Sequence, residues 1–202
     1  MKMDEFNILI AGVGGQGQVL ASRLIGAAAM AAGLEVRAAE TIGMAQRGGS
    51  VISNVRIGKR HLSPAVPDGQ GDLIIGFELC ETARNLEKLR PGGNVLLNDL
   101  SIMPVPAALG LEKYDAPAMR TAIRKRAGRM LVLDGMKLAE QAGSVRSCNV
   151  VLLGAAAGAG FLPIPKDLFL SAVTRSVPKK YRELNSQAFQ LGYHAGRSYA
   201  SK

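Results

Sequence analysis

Residues suited to holding an anion are concentrated in two glycine-rich stretches near the start of the chain. The first, GVGGQG at residues 12–17, directly follows the apolar run 6–11. The second, GMAQRGGSV at residues 43–51, places Arg47 between small residues and precedes another strand-like run. Glycines let backbone N–H groups approach an anion closely, and a guanidinium adds a forked cationic donor. Together the two stretches predict one site that faces a ligand or a partner.

The predicted site is a loop surface rather than a set of catalytic side chains. We expect Arg47, with the N–H groups of Gly48 and Gly49, to face an anionic group at a junction with another subunit. The alternative is that Arg47 is a solvated cation or forms a salt bridge inside the fold. The residues assigned to the site are Gly12, Gly14, Gly15, Gln16, Gly17, Gly43, Met44, Gln46, Arg47, Gly48, Gly49 and Ser50.

Three further polar residues are candidates of a weaker kind. Glu40 stands near the end of the second predicted strand, where a dinucleotide site places a carboxylate for the ribose hydroxyls. Asn149 at a helix start is most simply a cap, and Asn185 can hydrogen-bond to backbone, so both have a structural as well as a site interpretation. The chain has only two cysteines and two histidines, so we predict neither a metal site nor a catalytic acid, base or nucleophile.

The elements that would position these loops alternate between strand and helix. Apolar strands are predicted at 6–11, 34–40, 51–58, 72–77, 94–98 and 130–134, with a possible edge strand at 111–114. Helices are predicted at 16–32, 78–89, 118–127, 136–142, 149–160, 166–176 and along the last apolar face from Leu184 to Ala195. This order predicts a single α/β domain over residues 1–202 with a Rossmann-like start. Its sheet should be mostly parallel, with a mixed sheet as the alternative, and covered by helices on both faces.

Composition narrows the class of protein. Of 202 residues, 48% are hydrophobic and 20% charged, which argues against disorder. The net charge of +9 favours acidic partners, nucleic acid or an anionic ligand, and cannot choose among them. A basic nucleic-acid-binding protein is therefore one alternative, although the cations are scattered except between Arg120 and Arg129. A stand-alone NAD(P)-binding oxidoreductase using the glycine turn and Glu40 is the other.

The start of the sequence, MKMDEF, lacks the apolar core of a signal peptide. No apolar run approaches the roughly 20 residues that a membrane helix needs. We therefore expect a cytoplasmic protein with no membrane partner.

Beyond these patterns, the chain resembles the gamma-type component of the 2-oxoacid:ferredoxin oxidoreductases, and most closely the small beta subunit of the indolepyruvate type. The resemblance rests on GVGGQG (12–17), AETIGMAQRGGSVISNVRIG (39–58), CNVVLLGA (148–155) and LNSQAFQLG (184–192). These motifs span nearly the whole chain. Asn149 and Asn185 are among the matching positions.

The resemblance implies an accessory subunit that is inactive alone. Its complex would convert an aryl pyruvate, coenzyme A and oxidised ferredoxin to the aryl-acetyl-CoA, carbon dioxide and reduced ferredoxin. A large alpha subunit would carry thiamine diphosphate, magnesium and iron-sulfur clusters, while this chain binds none of them and contacts ferredoxin only indirectly. The glycine loops would contact that subunit and shape the entry for coenzyme A. Whether the isolated chain forms a homodimer is left open.

Overall fold

The computed structural model describes residues 5–43, 48–59 and 63–201. A six-stranded sheet lies at its centre, in the order β2-β3-β1-β4-β5-β6. Neighbouring pairs among β1, β4, β5 and β6 are parallel, whereas β3 is antiparallel to both β1 and β2. The strands are β1 Phe6–Val13, β2 Val36–Ile42, β3 Ser50–Ile57, β4 Gly71–Gly76, β5 Leu89–Asn98 and β6 Arg129–Leu133. The sheet is thus mixed but mostly parallel, as predicted.

Helices cover both faces of this sheet. One face carries the larger apolar core, in which strand residues such as Ile10 and Leu96 pack against α1, α5, α6, α7 and α8. The other face packs Leu9, Ile74 and Leu97 against α2 and α4. The helices are α1 Gln18–Ala31, α2 Leu79–Arg84, α3 Val105–Ala108, α4 Ala116–Arg126, α5 Gly135–Gln141, α6 Cys148–Gly158, α7 Lys166–Ser176 and α8 Arg182–Ala200. The predicted covering of both faces is confirmed.

Helices α6 and α8 pack with their backbones in contact. Gly154 and Gly158 on α6 face the carbonyls of Phe189 and Tyr193, and Gly192 and Gly196 on α8 face backbone atoms of α6. A side chain at any of the four positions would overlap the opposite helix. Because glycine has no Cβ, these positions permit a separation that no other residue would allow.

Some element boundaries differ from the sequence expectations. The helix predicted at 78–89 ends at Arg84, and a 3₁₀ turn follows at Leu86–Lys88. The side-chain amide of Asn85 donates to the carbonyl of Glu81, and this bond competes with the backbone bonds that would continue the helix. Strand β5 begins at Leu89 rather than at residue 94, since glycine at position 93 lets the strand lie close to the carbonyl of Gly71.

The edge strand predicted at 111–114 is wrong. Residues 105–108 form the short helix α3 just before this segment. The N–H of Leu111 donates to the carbonyl of Pro106 at 2.9 Å, so it is not available for pairing with a strand. Within the described ranges, no helix is both long and apolar enough to span a bilayer.

Candidate functional site

The candidate site lies where the parallel strands end. The chain leaves β1 through the glycine turn, β4 through Phe77 and Glu78, and β6 through Asp134, all at the carboxyl edge of the sheet. Helix α1 then packs on one face and α2 on the other. Ligands in open α/β sheets bind in the crevice at such a switch point, which here falls between β1 and β4.

At the glycine turn, two glutamine side chains form hydrogen bonds with backbone groups of Val13. Oε1 of Gln16 accepts from the N–H of Val13 at 2.9 Å, and Nε2 of Gln18 donates to the Val13 carbonyl at 2.8 Å. Gly12 makes room for them, because a Cβ there would lie 2.5 Å from each of these side-chain atoms. The side-chain oxygen of Gln16 therefore shapes the turn.

The structure joins the two glycine-rich stretches. The N–H of Gly14 donates to the Gly49 carbonyl at 2.8 Å, and the N–H of Gly48 donates back to the Gly14 carbonyl at 3.4 Å. Beside them, Gly43 donates to the Ser50 carbonyl at 3.0 Å. The predicted juxtaposition is thus present, but the amides of Gly14 and Gly48 are already bonded to protein.

Ser50 ties the second stretch to the helix after β4. Its hydroxyl donates to Oε2 of Glu81 at 2.6 Å, and the buried Glu81 also accepts from Arg84 at 2.7 Å. Met44, Gln46 and Arg47, which the sequence assigned to this stretch, lie outside the described residues.

Left-handed backbone shapes the end of the first loop. Gly15 and Gly17 have φ of 102° and 87°, values that side chains rarely permit. Gly17 also faces Asn149, whose Nδ2 lies 2.7 Å from where a Cβ would be and donates to the Gly17 carbonyl at 3.3 Å. Asn149 is 3% exposed and is the second residue of α6, so it joins the glycine turn to that helix rather than capping it.

Glu40 is not placed as a dinucleotide site requires. It is exposed on the edge strand β2 and accepts from the Ser22 hydroxyl at 3.2 Å. Strand β3 lies between β2 and β1, with Ser53 opposite both Glu40 and Ile10. Two strand spacings, about 9–10 Å, therefore separate Glu40 from β1. In the nucleotide-binding arrangement the second strand is adjacent to the first.

Two neighbouring cavities open beside the glycine turn. The first, about 420 Å³, is bounded by the turn, the ends of β4 and β5, and the starts of α5 and α6. The residues that line it are Gly15, Gln16, Gly17, Phe77, Asn98, Leu100, Met136, Val145, Arg146 and Cys148. Three of these belong to the predicted site. Sequence reasoning missed Asn98, which donates to the Phe77 carbonyl at 3.2 Å and accepts from the Gly135 N–H at 2.9 Å, fixing the ends of the strands.

The second cavity, about 350 Å³, lies on the other side of Arg146. Asn149 and Asn185, both predicted as polar candidates, line it together. Asn185 donates to the Tyr181 carbonyl at 2.8 Å. The full lining is Leu20, Ser144, Arg146, Ser147, Asn149, Val177, Pro178, Tyr181, Leu184 and Asn185. Arg146 is exposed, lines both cavities and has no ion pair with another described residue. The one feature of the sequence that could have indicated Arg146 is its place in a short polar segment before an apolar helix.

Cys148 contributes a neutral group to the first cavity. Burial, and then the charge of Asp134, raises the pKa of its thiol to about 11. The thiol therefore stays protonated near neutral pH, which makes it a poor nucleophile.

Three of the cations between Arg120 and Arg129 contact other residues of the same chain. Arg120 pairs with Asp99 at 2.6 Å, and Arg126 donates to the Leu89 carbonyl at 2.7 Å. Arg129 stacks on Phe161 with its guanidinium carbon 5.0 Å from the ring centre. This helix face is thus not the interleaved cation and aromatic surface that nucleic-acid binding requires.

A set of exposed apolar residues, here called the apolar strip, follows the cavity residue Leu100 along the chain. It consists of Ile102, Met103, Val105, Leu109 and Leu111, which are 40–76% exposed. The strip is anchored to the site, since Glu78 accepts from the Ile102 N–H at 2.9 Å and the cavity residue Leu100 accepts from Leu79 at 3.0 Å. Contiguous exposed apolar side chains mark interaction surfaces in soluble proteins.

Comparison with known proteins gives a consistent result. Residues 7–195 match the model of the family described as pyruvate ferredoxin/flavodoxin oxidoreductase. A curated relative named indolepyruvate oxidoreductase subunit IorB, from Thermococcus kodakarensis, is 39% identical over 197 residues, covering 96% of this chain and 98% of that protein.

Solved structures share the fold. The gamma subunit of a keto/oxoacid ferredoxin oxidoreductase from Geobacter sulfurreducens superposes with a TM-score of 0.69 at 24% identity, covering 96% of this chain and 99% of that one. A 2-oxoglutarate:ferredoxin oxidoreductase from Magnetococcus marinus, solved with 2-oxoglutarate, coenzyme A and succinyl-CoA bound, gives 0.72 at 23% identity. There the match covers 98% of this chain and 32% of the longer one.

Proposed function

The chain belongs to the pyruvate ferredoxin/flavodoxin oxidoreductase family, and from that premise we propose that it is the accessory subunit of an indolepyruvate-type 2-oxoacid:ferredoxin oxidoreductase. The complex oxidatively decarboxylates an aryl pyruvate with coenzyme A and ferredoxin. The observation that carries the proposal is the pair of hydrogen bonds joining Gly14 to Gly48 and Gly49 beside a cavity walled by Arg146. They shape a concave surface at the carboxyl edge of the sheet, and Arg146 is the cation that lines it.

The redox centres belong to a partner in this proposal. Oxidative decarboxylation needs thiamine diphosphate to stabilise a carbanion and a one-electron carrier to accept electrons. Two cysteines cannot supply the four thiolates of an iron-sulfur cluster, and the sequence has no Gly-Asp-Gly with a later Asn-Asn, the thiamine pattern of the family. The residues of this chain do not fit either group. A large subunit therefore carries thiamine diphosphate, magnesium and the clusters.

The apolar strip supplies a surface for that large subunit. Its leucines and valine are exposed and follow the cavity residue Leu100 along the chain, so we expect one partner to cover both. Burying them would contribute about 1.5–3 kcal/mol per large side chain. The glycine loops then lie at the margin of the interface, where an anionic substrate enters, and coenzyme A is the phosphate-bearing substrate of the reaction.

A stand-alone NAD(P)-dependent enzyme is the weaker candidate, because Glu40 lies two strands from the glycine turn and accepts a bond from Ser22. Titration of the purified chain with NADH distinguishes the two, since only the rival predicts saturable binding.

Anaerobic co-purification from the native extract, with this chain as bait, tests the proposal. We expect a brown partner that contains clusters and thiamine diphosphate, and a complex that reduces ferredoxin with indolepyruvate and coenzyme A faster than with pyruvate or 2-oxoglutarate. The isolated chain should be inactive. Full activity of this chain by itself, or of the partner without it, would refute the accessory role.

A double variant tests the apolar strip directly. Leu109→Glu with Leu111→Glu should weaken association with the large subunit roughly 100-fold, because two buried leucines contribute about 3 kcal/mol together. Met30→Glu is the matched control: Met30 is 62% exposed but near the end of α1, at the opposite edge of the sheet. Equal affinities for both variants would show that the strip is not the docking surface.

A further inference from the structure

The open edge of strand β6 lies in a cleft that has cationic walls. We propose that this cleft binds an extended acidic peptide segment of a partner protein, which joins the sheet as a further strand beside β6. The cleft is a different part of the molecule from the glycine loops, because β4 and β5 separate β6 from β1 and the glycine turn. The proposal does not depend on the accessory role.

Strand β6 has backbone groups available for another strand. It is the last strand of the sheet in the described part of the chain, and β5 pairs with only one of its edges. In a parallel pair, alternate residues bond to the neighbouring strand. Gly128 donates to the Gly93 carbonyl at 2.8 Å, so this alternation directs the N–H and C=O groups of Arg129 and Leu131 to the open edge. A row of such groups is a template for an added strand.

Helices from both faces of the sheet contribute to the cleft, which has a volume of about 290 Å³. Arg124 of α4 and Ala127, which follows that helix, form one side, and Tyr199 of α8 forms the other. Residues 128–130 and Val132 complete the lining. Because α4 and α8 cover opposite faces of the sheet, the cleft runs across its edge, where an added strand would lie.

The two arginines of the cleft keep their charges unpaired. The guanidinium carbon of Arg129 lies 5.0 Å from the ring centre of Phe161 and 5.5 Å from that of Tyr199, and the guanidinium donates to the Ala159 carbonyl at 3.3 Å. Arg124 is exposed. Neither arginine forms an ion pair with another residue in the described ranges. A carboxylate of a bound peptide can therefore form the charge-assisted bonds that these residues do not supply.

The sequence around the cleft adds positive charge and no acidic side chain. Residues 116–133, which include α4 and β6, contain five Arg or Lys residues and no Asp or Glu. Residues 184–202, which include most of α8, also lack Asp and Glu. The resulting positive potential favours an acidic partner. It disfavours a second copy of this chain, because pairing two β6 edges would bring both sets of cations together.

The positions of the two arginines specify the spacing of acidic residues in the peptide. Arg129 stacks on two rings of the core that α8 covers, whereas Arg124 belongs to α4 on the other face. Successive residues of a strand point to opposite faces, so two adjacent acidic residues can reach one arginine each. The peptide backbone would at the same time bond to the open edge of β6. A nucleic acid would match the cations but has no peptide groups for this edge.

Titration calorimetry of the full chain with a capped hexapeptide, Thr-Val-Glu-Glu-Val-Thr, measures this binding. The matched control peptide has Lys-Lys in place of Glu-Glu. We expect the glutamate peptide to bind, with an affinity that falls as salt is added, and the lysine peptide not to bind. Arg124→Gln should weaken binding of the glutamate peptide about tenfold, because it removes a charge-assisted bond. Arg37→Gln, which removes an exposed cation from the other edge strand β2, should leave the affinity unchanged.

Amide hydrogen exchange shows where the peptide lies. When the glutamate peptide occupies about 90% of the protein, the amides of Arg129 and Leu131 should exchange about tenfold more slowly, since they are then bonded to the peptide. The amides of Met130 and Val132 should not change, because alternation directs them to β5 in both states.

Three results would overturn the inference. One is that the glutamate peptide does not bind, or binds no better than the lysine peptide. Another is that it binds without slowing exchange at Arg129 and Leu131. The third is that a single-stranded oligonucleotide binds more tightly than the glutamate peptide and is itself weakened by Arg124→Gln, which would assign the cations to nucleic acid. Because each measurement uses this chain alone, none of these results bears on the accessory role.

Discussion

Replacing Gly154 by alanine tests whether α6 and α8 are in backbone contact. A Cβ at this position would overlap the Phe189 carbonyl oxygen and lie 2.9 Å from the Tyr193 nitrogen, closer than Cβ atoms normally approach. To remove the overlap, the helices must separate by about 1 Å, and a gap of that size forfeits a quarter to a half of the dispersion energy of each contact. Overpacking of this kind costs about 1–3 kcal/mol or more.

Helix propensity opposes this cost only in part. Alanine is favoured over glycine inside a helix by about 1 kcal/mol. Since the overlap is with backbone, which cannot move aside as a side chain can, we expect the upper part of the overpacking range and a net destabilisation of about 2 kcal/mol. For a domain of this size that lowers Tm by about 4–8 °C.

Gly26 on α1 is the matched control. It is also buried within a helix, but an added Cβ would meet only Cγ1 of Val36, at an ordinary 3.7 Å. Gly26→Ala should therefore stabilise the protein by about 1 kcal/mol through helix propensity. Urea denaturation followed by circular dichroism measures both changes. If Gly154→Ala proves as stabilising as Gly26→Ala, the two helices are not in backbone contact.

Two further predictions concern buried polar groups. Burial, with Asp134 nearby, raises the pKa of Cys148 to about 11, so the native state keeps this proton when the unfolded chain, titrating near pH 9, has lost it. Stability should consequently fall by about 2 kcal/mol from pH 9 to pH 11. The urea midpoint should fall less over this range in Cys148→Ala, and parallel pH profiles of the two proteins would contradict the prediction. Arg56→Met should destabilise by about 2–4 kcal/mol, because the buried guanidinium donates to Asn7 at 2.9 Å and to the carbonyls of Ser63 and Ala65 at 3.0 and 3.2 Å. Amide exchange of residues 63–70 should accelerate in this variant but not in Arg37→Met, which alters an exposed cation on the neighbouring strand; equal exchange in both would mean that Arg56 does not hold the loop.

Local pattern was sufficient for most of the elements. Five of the six strands were predicted close to their observed positions. Buried parallel strands such as β1 and β4 need continuous apolar residues, and the antiparallel strand β3 shows an alternation of apolar and polar residues. The errors arose where a distant backbone or a single side chain decided the outcome. Asn85 ended α2 early, and the approach of Gly93 to Gly71 made a strand of a segment that reads as a turn.

The candidate site shows the same division. The sequence predicted both glycine stretches and the two asparagines as candidates, and the structure brings members of each beside the cavities. Glycine in a strand-to-helix turn has a local physical reason, whereas the contact of Asn149 with Gly17 depends on the fold. It could not identify Arg146 or Asn98, because neither stands in a distinctive local pattern. Arg146 lines two cavities and Asn98 bonds to two strand ends only because the fold brings those groups next to them.

By itself, the sequence determined the α/β class and predicted that the two glycine loops form one site, because periodicity and turn chemistry are local properties. Only the tertiary structure decided that β3 separates β1 from β2, which removes Glu40 from the glycine turn. It also decided that Arg146 stands between two cavities. Strand order and the meeting of distant loops depend on which surfaces bury one another, and that is a property of the whole chain.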